Sequence, residues 1–345
     1  MRLLLITQKA DKNDPVLGFF HRWVIEFAKH FEEVIVICLE EGKHDLPANV
    51  KVFSLGKEAG RSKWKYAFNF YRHIFRERNN YDAVFIHMNQ EYVLLGGIFW
   101  KIFRKKIYMW RNHHKGSEFT DMAAFFCDKI FCTSRYSYTA KYDKTALMPV
   151  GIDTSFFAKL PKARKAPRSV LFLGRIAPVK KPDLLLRALG RLARKGIAFS
   201  ASIVGDALPK DSEYAESLRG IAREEGIADR VTFKPGVPND ATRDVYNAHE
   251  VSVNLSSSGM YDKTIFEAMA CETVILASNE NLRGLIDDRF IFKDSDLDEL
   301  SSKLEALLAL PDAERSSLGG DLRSVVERNH SLLLLGSNLL EKISS

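Results

Sequence analysis

Short apolar, β-branched runs recur along this chain, and stretches of helical period separate most of them. In the first part the runs are LLLI (Leu3–Ile6), VIVICL (Val34–Leu39), VKVFSL (Val50–Leu55), AVFIH (Ala83–His87), KIYMW (Lys106–Trp110) and KIFCT (Lys129–Thr133). Between them lie patterns such as FFHRWVIEFAKHF (Phe19–Phe31) and WKYAFNFYRHIF (Trp64–Phe75). Strands alternating with helices mark a parallel sheet covered by helices on both faces. The alternation stops at AKLPKARKAPR (Ala158–Arg168), which is rich in Pro and Lys and has no apolar period. It restarts with SVLFLG (Ser169–Gly174), FSASIVG (Phe199–Gly205), VTFKPG (Val231–Gly236), VSVNLS (Val251–Ser256) and TVILAS (Thr273–Ser278). The reading is two Rossmann-like, doubly wound α/β domains, residues 1–160 and 169–345, joined by a linker at 161–168. The last helix is expected to pack back on the N-terminal domain. In such folds a ligand sits beyond the carboxyl ends of the strands, and with two domains it sits in a central cleft between them.

Several classes drop out. At 345 residues the chain is too long for one ordinary core, and 46% hydrophobic with 28% charged residues reads as globular. No stretch approaches the ~18 apolar residues of a membrane span, and MRLLLITQKADKND reads as a first buried strand rather than a signal peptide. Cys38, Cys127, Cys132 and Cys271 stand in apolar contexts without a metal-type pair, as in a reduced, cytoplasmic protein.

Charge is uneven. Residues 1–160 carry 25 Lys and Arg against 17 Asp and Glu, so the net +7 of the chain lives in its first half. Much of it accompanies aromatics, in RSKWKYAFNFYRHIFRER (Arg61–Arg78) and FWKIFRKKIYMW (Phe99–Trp110). A basic, aromatic surface suits an anionic membrane face or an anionic acceptor, and a solvated helix face is the plain alternative. Nucleic acid is not expected, because no recognition motif for it is present.

The loops after the strands carry the candidate chemistry. Arg175 follows the strand ending at Gly174, and Lys180 and Lys181 stand just before the next helix, so Arg175 and Lys180 could clamp a diphosphate. In SSSGMYDKTIFEAMAC (Ser256–Cys271) a Ser/Gly loop enters a compact apolar helix bearing Glu267 near its start. Either Asp262 or Thr264 caps that helix, or its free N–H groups hold an anionic ligand. Neither GxGxxG nor GxxxxGK[ST] follows any strand, which argues against dinucleotide redox and P-loop chemistry.

The segments FLGRIAPVKKPDLLLRAL, ASIVGDA, VTFKPGVPNDATRDVYNAHEVSVNLS and GMYDKTIFEAMACETVILAS together resemble the nucleotide-sugar half of glycosyltransferase family 4, retaining enzymes of GT-B fold. In the first half, Gly18 in a loop before the first helix, the strand ending in WRNHH and MPVGIDTSFF (Met148–Phe157) agree with the same family. The resemblance implies that Arg175 and Lys180 neutralise the donor diphosphate and that Glu267 accepts hydrogen bonds from the ribose hydroxyls. It implies that Met260, Tyr261, Asp262, Lys263 and Thr264 meet the phosphate, with Gly18, Gly174, Gly205, Pro235 and Val237 completing the donor site. The family's first glutamate, seven residues before the second, falls on Gly259, so Asp262 takes over the sugar contact or the donor differs in its hydroxyls. His113 is the preferred catalytic histidine, His114 its neighbour and alternative, and His87 a further candidate.

What the resemblance implies is transfer of a hexosyl group from a UDP- or GDP-sugar to a glycan or lipid-linked acceptor, as in cell-envelope glycan synthesis. The anomeric configuration is retained. Neither a metal nor a cofactor is implied beyond the nucleotide-sugar co-substrate. A catalytically silent nucleotide-sugar-binding subunit and a GT-B sugar-nucleotide epimerase share the same signature.

Overall fold

The computed structural model describes residues 1–258 and 260–344, and the chain divides into two compact units, Met1–Gly151 with Leu332–Ser345, and Ile152–Ser331. Gly259, the position of the missing glutamate, lies outside the described residues.

The first unit is built on a seven-stranded parallel sheet of order β3-β2-β1-β4-β5-β6-β7. Its strands are β1 (Arg2–Ala10), β2 (Glu33–Glu41), β3 (Val50–Ser54), β4 (Ala83–His87), β5 (Lys106–Trp110), β6 (Lys129–Cys132) and β7 (Thr145–Leu147). Leu3 pairs with Val34 and Ala83, which sets the register at the centre of the sheet. Alternate residues of β1 then serve opposite faces. Leu3 and Leu5 join a core with α1 (Gly18–His30) and α11 (Leu332–Ser344), built around Phe20, Trp23, Phe27 and Leu335. Leu4 and Ile6 join the other core, under α2 (Lys63–Arg76), α3 (Gln90–Ile102) and α4 (Glu118–Phe126), with Phe70, Ile74, Val93 and Trp100.

The Pro-Val-Gly-Ile-Asp stretch has a local physical reason. Gly151 takes φ +75°, and a Cβ there would stand 2.4 Å from the Leu335 side chain, while its carbonyl accepts from Trp23 Nε1 at 2.9 Å. A side chain would clash as well as strain the backbone.

The second unit holds a five-stranded parallel sheet of order β10-β9-β8-β11-β12. The strands are β8 (Ser169–Leu173), β9 (Ser200–Val204), β10 (Val231–Lys234), β11 (Val251–Asn254) and β12 (Val274–Ala277). The helices are α5 (Pro182–Arg194), α6 (Ser212–Glu224), α7 (Thr242–Asn247), α8 (Lys263–Ala270), α9 (Leu297–Leu308) and α10 (Asp312–Asn329). The chain winds outward from β8 through β9 to β10, then returns to the other side of β8 with β11. The switch point therefore lies between the ends of β8 and β11, where a doubly wound sheet opens a ligand crevice.

The segment 161–168 is not a linker. The units part at Gly151, and 161–168 belongs to the second unit, where Lys165 Nζ donates to Glu272 O and Thr273 Oγ1, both at 2.8 Å. Burial pushes the Lys165 ammonium down to about 8. A Pro/Lys-rich composition resembled a solvated linker, but one of its lysines is tied down. Residues 332–345 return to the first unit. No helix among the described residues is long and apolar enough to cross a membrane. All four cysteines are free and buried.

Candidate functional site

The switch point gathers polar side chains from three loops. β11 ends at Asn254, and the chain then runs through Ser256 to the entrance of α8, where Asp262 is the N-cap. Asp262 Oδ1 accepts from Thr264 N at 3.2 Å and from Thr264 Oγ1 at 3.0 Å, and Asn254 Nδ2 donates to Thr264 Oγ1 at 2.9 Å. The other carboxylate oxygen, Oδ2, binds Lys180 Nζ at 2.5 Å and accepts from Ser256 Oγ at 2.9 Å. Lys180 Nζ also donates to Ser256 Oγ at 2.9 Å. A cap and a cation anchor are thus the same residue.

The electrostatics follow from burial and pairing. The Asp262 side chain is 16% exposed and that of Lys180 27%. Burial alone would raise the Asp262 carboxyl, but the adjacent Lys180 charge and the hydrogen bonds from Lys180 and Ser256 hold it well below the usual carboxylate range. Arg175, beyond the end of β8, is exposed and makes no ion pair among the described residues. One cation is held in place and the other is open to a ligand.

Glu267 lies further along α8 and is buried, 4% exposed. Tyr246 OH donates to its Oε2 at 3.0 Å and Asn239 Nδ2 to its Oε1 at 3.2 Å. Burial pushes the Glu267 carboxyl up, while the Lys263 charge one turn earlier and the two donors draw it back. Burial in turn lowers the Lys263 ammonium against the pull of Glu267. A carboxylate has about four acceptor positions, so two remain for donors from a ligand, such as a pair of adjacent hydroxyls.

The glycines at the strand ends have a steric cause. A Cβ on Gly205 would stand 1.9 Å from the Gly174 carbonyl oxygen, so the ends of β8 and β9 approach as only glycine allows. Beyond them a cavity of about 320 Å³ is lined by Ile176, Gly205, Asp206, Arg219, Phe233 and Pro235. Val237 is half-buried in the loop that follows. Met260 O accepts from Asn279 Nδ2 at 2.8 Å, and Tyr261 OH donates to Asn281 O at 2.7 Å. These bonds hold the loop through its backbone and its tyrosine.

The remaining sequence candidates lie in the first unit. His113 follows β5 in a loop, where its Nδ1 accepts from Lys115 N at 2.9 Å and its ring stacks on His114 at 4.7 Å. His87 is buried, stacked on Phe20 at 4.1 Å, with Thr7 Oγ1 3.4 Å from its Nδ1. Gly18 is not in a loop: it opens α1, buried, with its N–H bonded to Asp14 O at 2.9 Å. Sequence reasoning missed Tyr246, Asn239, Asn254 and Ser256. The first two sit 21 and 28 residues before Glu267, too far along the chain for any local spacing to link them. No group of His, Cys, Asp and Glu among the described residues could hold a metal ion.

Residues 154–319 match the family model described as Glycosyl transferases group 1. A D-inositol 3-phosphate glycosyltransferase of Acidothermus cellulolyticus is 32% identical over 41% of this chain and 34% of its own length. One from Nocardia farcinica is 33% identical over 41% of this chain and 34% of its length. The chain thus spans about a third of the length of the curated relatives it matches. Among solved structures, Anabaena HepE in complex with UDP has a TM-score of 0.79 at 16% identity, covering 100% of both chains. Sucrose-phosphate synthase from Thermosynechococcus elongatus reaches 0.78 at 18% identity, over 99% of this chain and 98% of its own. Residues 154–319 thus resemble the group 1 glycosyltransferases, and the two parallel sheets with the likeness to these solved structures show a GT-B fold.

Proposed function

We propose that the chain transfers a sugar from a nucleoside-diphosphate sugar to a glycan or lipid-linked acceptor. The observation that carries this reading is the grouping of Lys180, Asp262 and Ser256 between the ends of β8 and β11, with Glu267 buried further along the same helix. Cations and helix N–H groups at a strand end suit a diphosphate, and a buried carboxylate with spare lone pairs suits vicinal ribose hydroxyls. UDP is the first donor to test, because HepE was crystallised with UDP and with UDP-glucose.

In this reading Lys180 and the open Arg175 neutralise the leaving diphosphate, and the N-terminus of α8 adds its dipole. The sugar's anomeric bond to the phosphate oxygen breaks as the acceptor hydroxyl bonds to the same face, so configuration is retained. The acceptor proton passes to the departing phosphate oxygen. The two cations then do what a divalent metal does elsewhere.

A thermal-shift panel of UDP-, GDP- and ADP-sugars tests the reading. A true donor at about 100-fold its Kd stabilises the protein by about 2.7 kcal/mol, and UDP release on adding glycan acceptors then follows turnover. If no nucleotide sugar raises the melting temperature, the reading is wrong.

A further inference from the structure

The layer formed by α2, α3 and α4 is apolar on both sides. Its inner side is the core already described, and its seams are aromatic, with Phe99 against Tyr71 at 5.7 Å and against Phe75 at 5.0 Å. Its outer side carries Trp64 and Phe68 from α2, Ile98 and Ile102 from α3, and Met122 and Phe125 from α4. These recur at the three- and four-residue spacings that keep side chains on one helix face. Trp64 is 88% exposed, Phe125 82%, Phe68 and Ile102 67% each. A helix covering a core on one side ordinarily turns polar residues to water on the other, so a contiguous apolar face marks an interaction site.

The charge beside this face is mainly basic, with Glu91 and Glu118 the exposed acids at the starts of α3 and α4. Residues 61–78 and 99–110 hold ten Lys and Arg and one acid, Glu77, which is buried. Arg61, Lys63, Lys65 and Arg72, at or near the exposed aromatics, make no ion pair among the described residues. Lys101 and Lys105 are engaged, the first with Asp128 and the second with the Tyr81 carbonyl.

We propose that this outer face docks on an anionic phospholipid bilayer. Insertion points spread over three helices suit a fluid, flat partner that needs no matching shape. A protein partner would require an interdigitated core and few charges at its centre. Trp and Phe enter the headgroup boundary while Lys and Arg meet anionic lipid, which is the chemistry of interfacial attachment without a spanning segment. Each engaged cation contributes on the order of fivefold in binding. The inference is independent of the donor reading.

Flotation of the full chain with vesicles tests it, using phosphatidylcholine alone and an equal mixture with phosphatidylglycerol. Wild type floats with the mixed vesicles at low salt and not with the neutral ones. Trp23, Trp100 and Trp110 are buried, so a blue shift in emission on vesicle addition reports Trp64. The combined change Lys63→Glu, Lys65→Glu and Arg72→Glu weakens binding on the order of a hundredfold. The combined change Trp64→Ser, Phe68→Ser, Ile98→Ser and Phe125→Ser abolishes it, with the melting temperature retained because all four are exposed. Wild type that ignores anionic vesicles, a bound state without the blue shift, or a dimer that this apolar variant dissolves would each overturn the proposal.

Discussion

Replacing Asp262 by Asn separates the two roles of that carboxylate. Asn is as good an N-cap as Asp, so the bond to Thr264 N survives. What goes is the charge opposite Lys180, 2.5 Å away. A charge-assisted hydrogen bond contributes about 1.5–3 kcal/mol and a neutral one about 0.5–1.5, so the loss is about 1–2 kcal/mol. It falls short of the ~3–5 kcal/mol for a fully buried pair because Lys180 reaches water. The Asp262 carboxyl is held below its ordinary value, so this contribution is present at neutral pH and fades as pH falls below about 4. For a unit of this size the melting temperature should drop by about 3–6 °C.

Donor binding should move the other way. A carboxylate about 6 Å from an incoming diphosphate repels each charge by about 3 kcal/mol at an effective dielectric of about 20. Part of that gain is lost with the positioning of Lys180. The net expectation is UDP binding about tenfold tighter in Asp262→Asn, equivalent to about 1.4 kcal/mol, read by calorimetry with the melting curve measured alongside. Weaker UDP binding in a folded variant would refute the reasoning and make Asp262 itself a donor ligand.

Gly205→Ala should cost about 3 kcal/mol or more, since its Cβ meets backbone at Gly174 that no rotamer can move. Gly220→Ala, in α6 with open space around it, should stabilise by about 0.5–1 kcal/mol, and chemical denaturation compares the two. Burial pushes His330, packed on Phe266 at 4.5 Å, down to about 4. The unfolded chain therefore takes up a proton at His330 near pH 6.5 that the folded one refuses. Stability is lost as pH falls below 6.5, about 2 kcal/mol of it by pH 5, and His330→Phe should flatten that slope in melting experiments. EDTA should leave the transfer rate unchanged; a strict requirement for manganese would show that Arg175 and Lys180 do not suffice.

The architecture was legible because parallel strands covered on both faces are written as uninterrupted apolar runs, and β1, β4, β8 and β12 contain such runs. The helix entrance at Asp262 was legible too, since cap residues act within one turn. The link from Lys180 to Asp262 was not, because it joins residues 82 apart that meet only when β8 and β11 pair. Tyr246 and Asn239 escaped for the same reason. Lys165 misled through composition: a lysine among prolines reads as solvated, whereas here it is half-buried and bonded to the Glu272 carbonyl. Gly18 was displaced by a few residues, because α1 lacks a side-chain cap to announce its start.

The account stands most directly on Glu267, and calorimetric titration of UDP and UDP-glucose into wild type and Glu267→Gln tests it. Gln keeps the size of the side chain and can still accept from Tyr246, so the fold should hold, with the melting temperature within a few degrees. Its amide offers ribose hydroxyls a neutral acceptor in place of a charged one, a loss of about 1.5–3 kcal/mol. The account predicts measurable UDP binding to wild type and a Kd raised about 10- to 100-fold in the variant. Equal affinity in the two proteins would contradict it and leave Glu267 a structural partner of Tyr246.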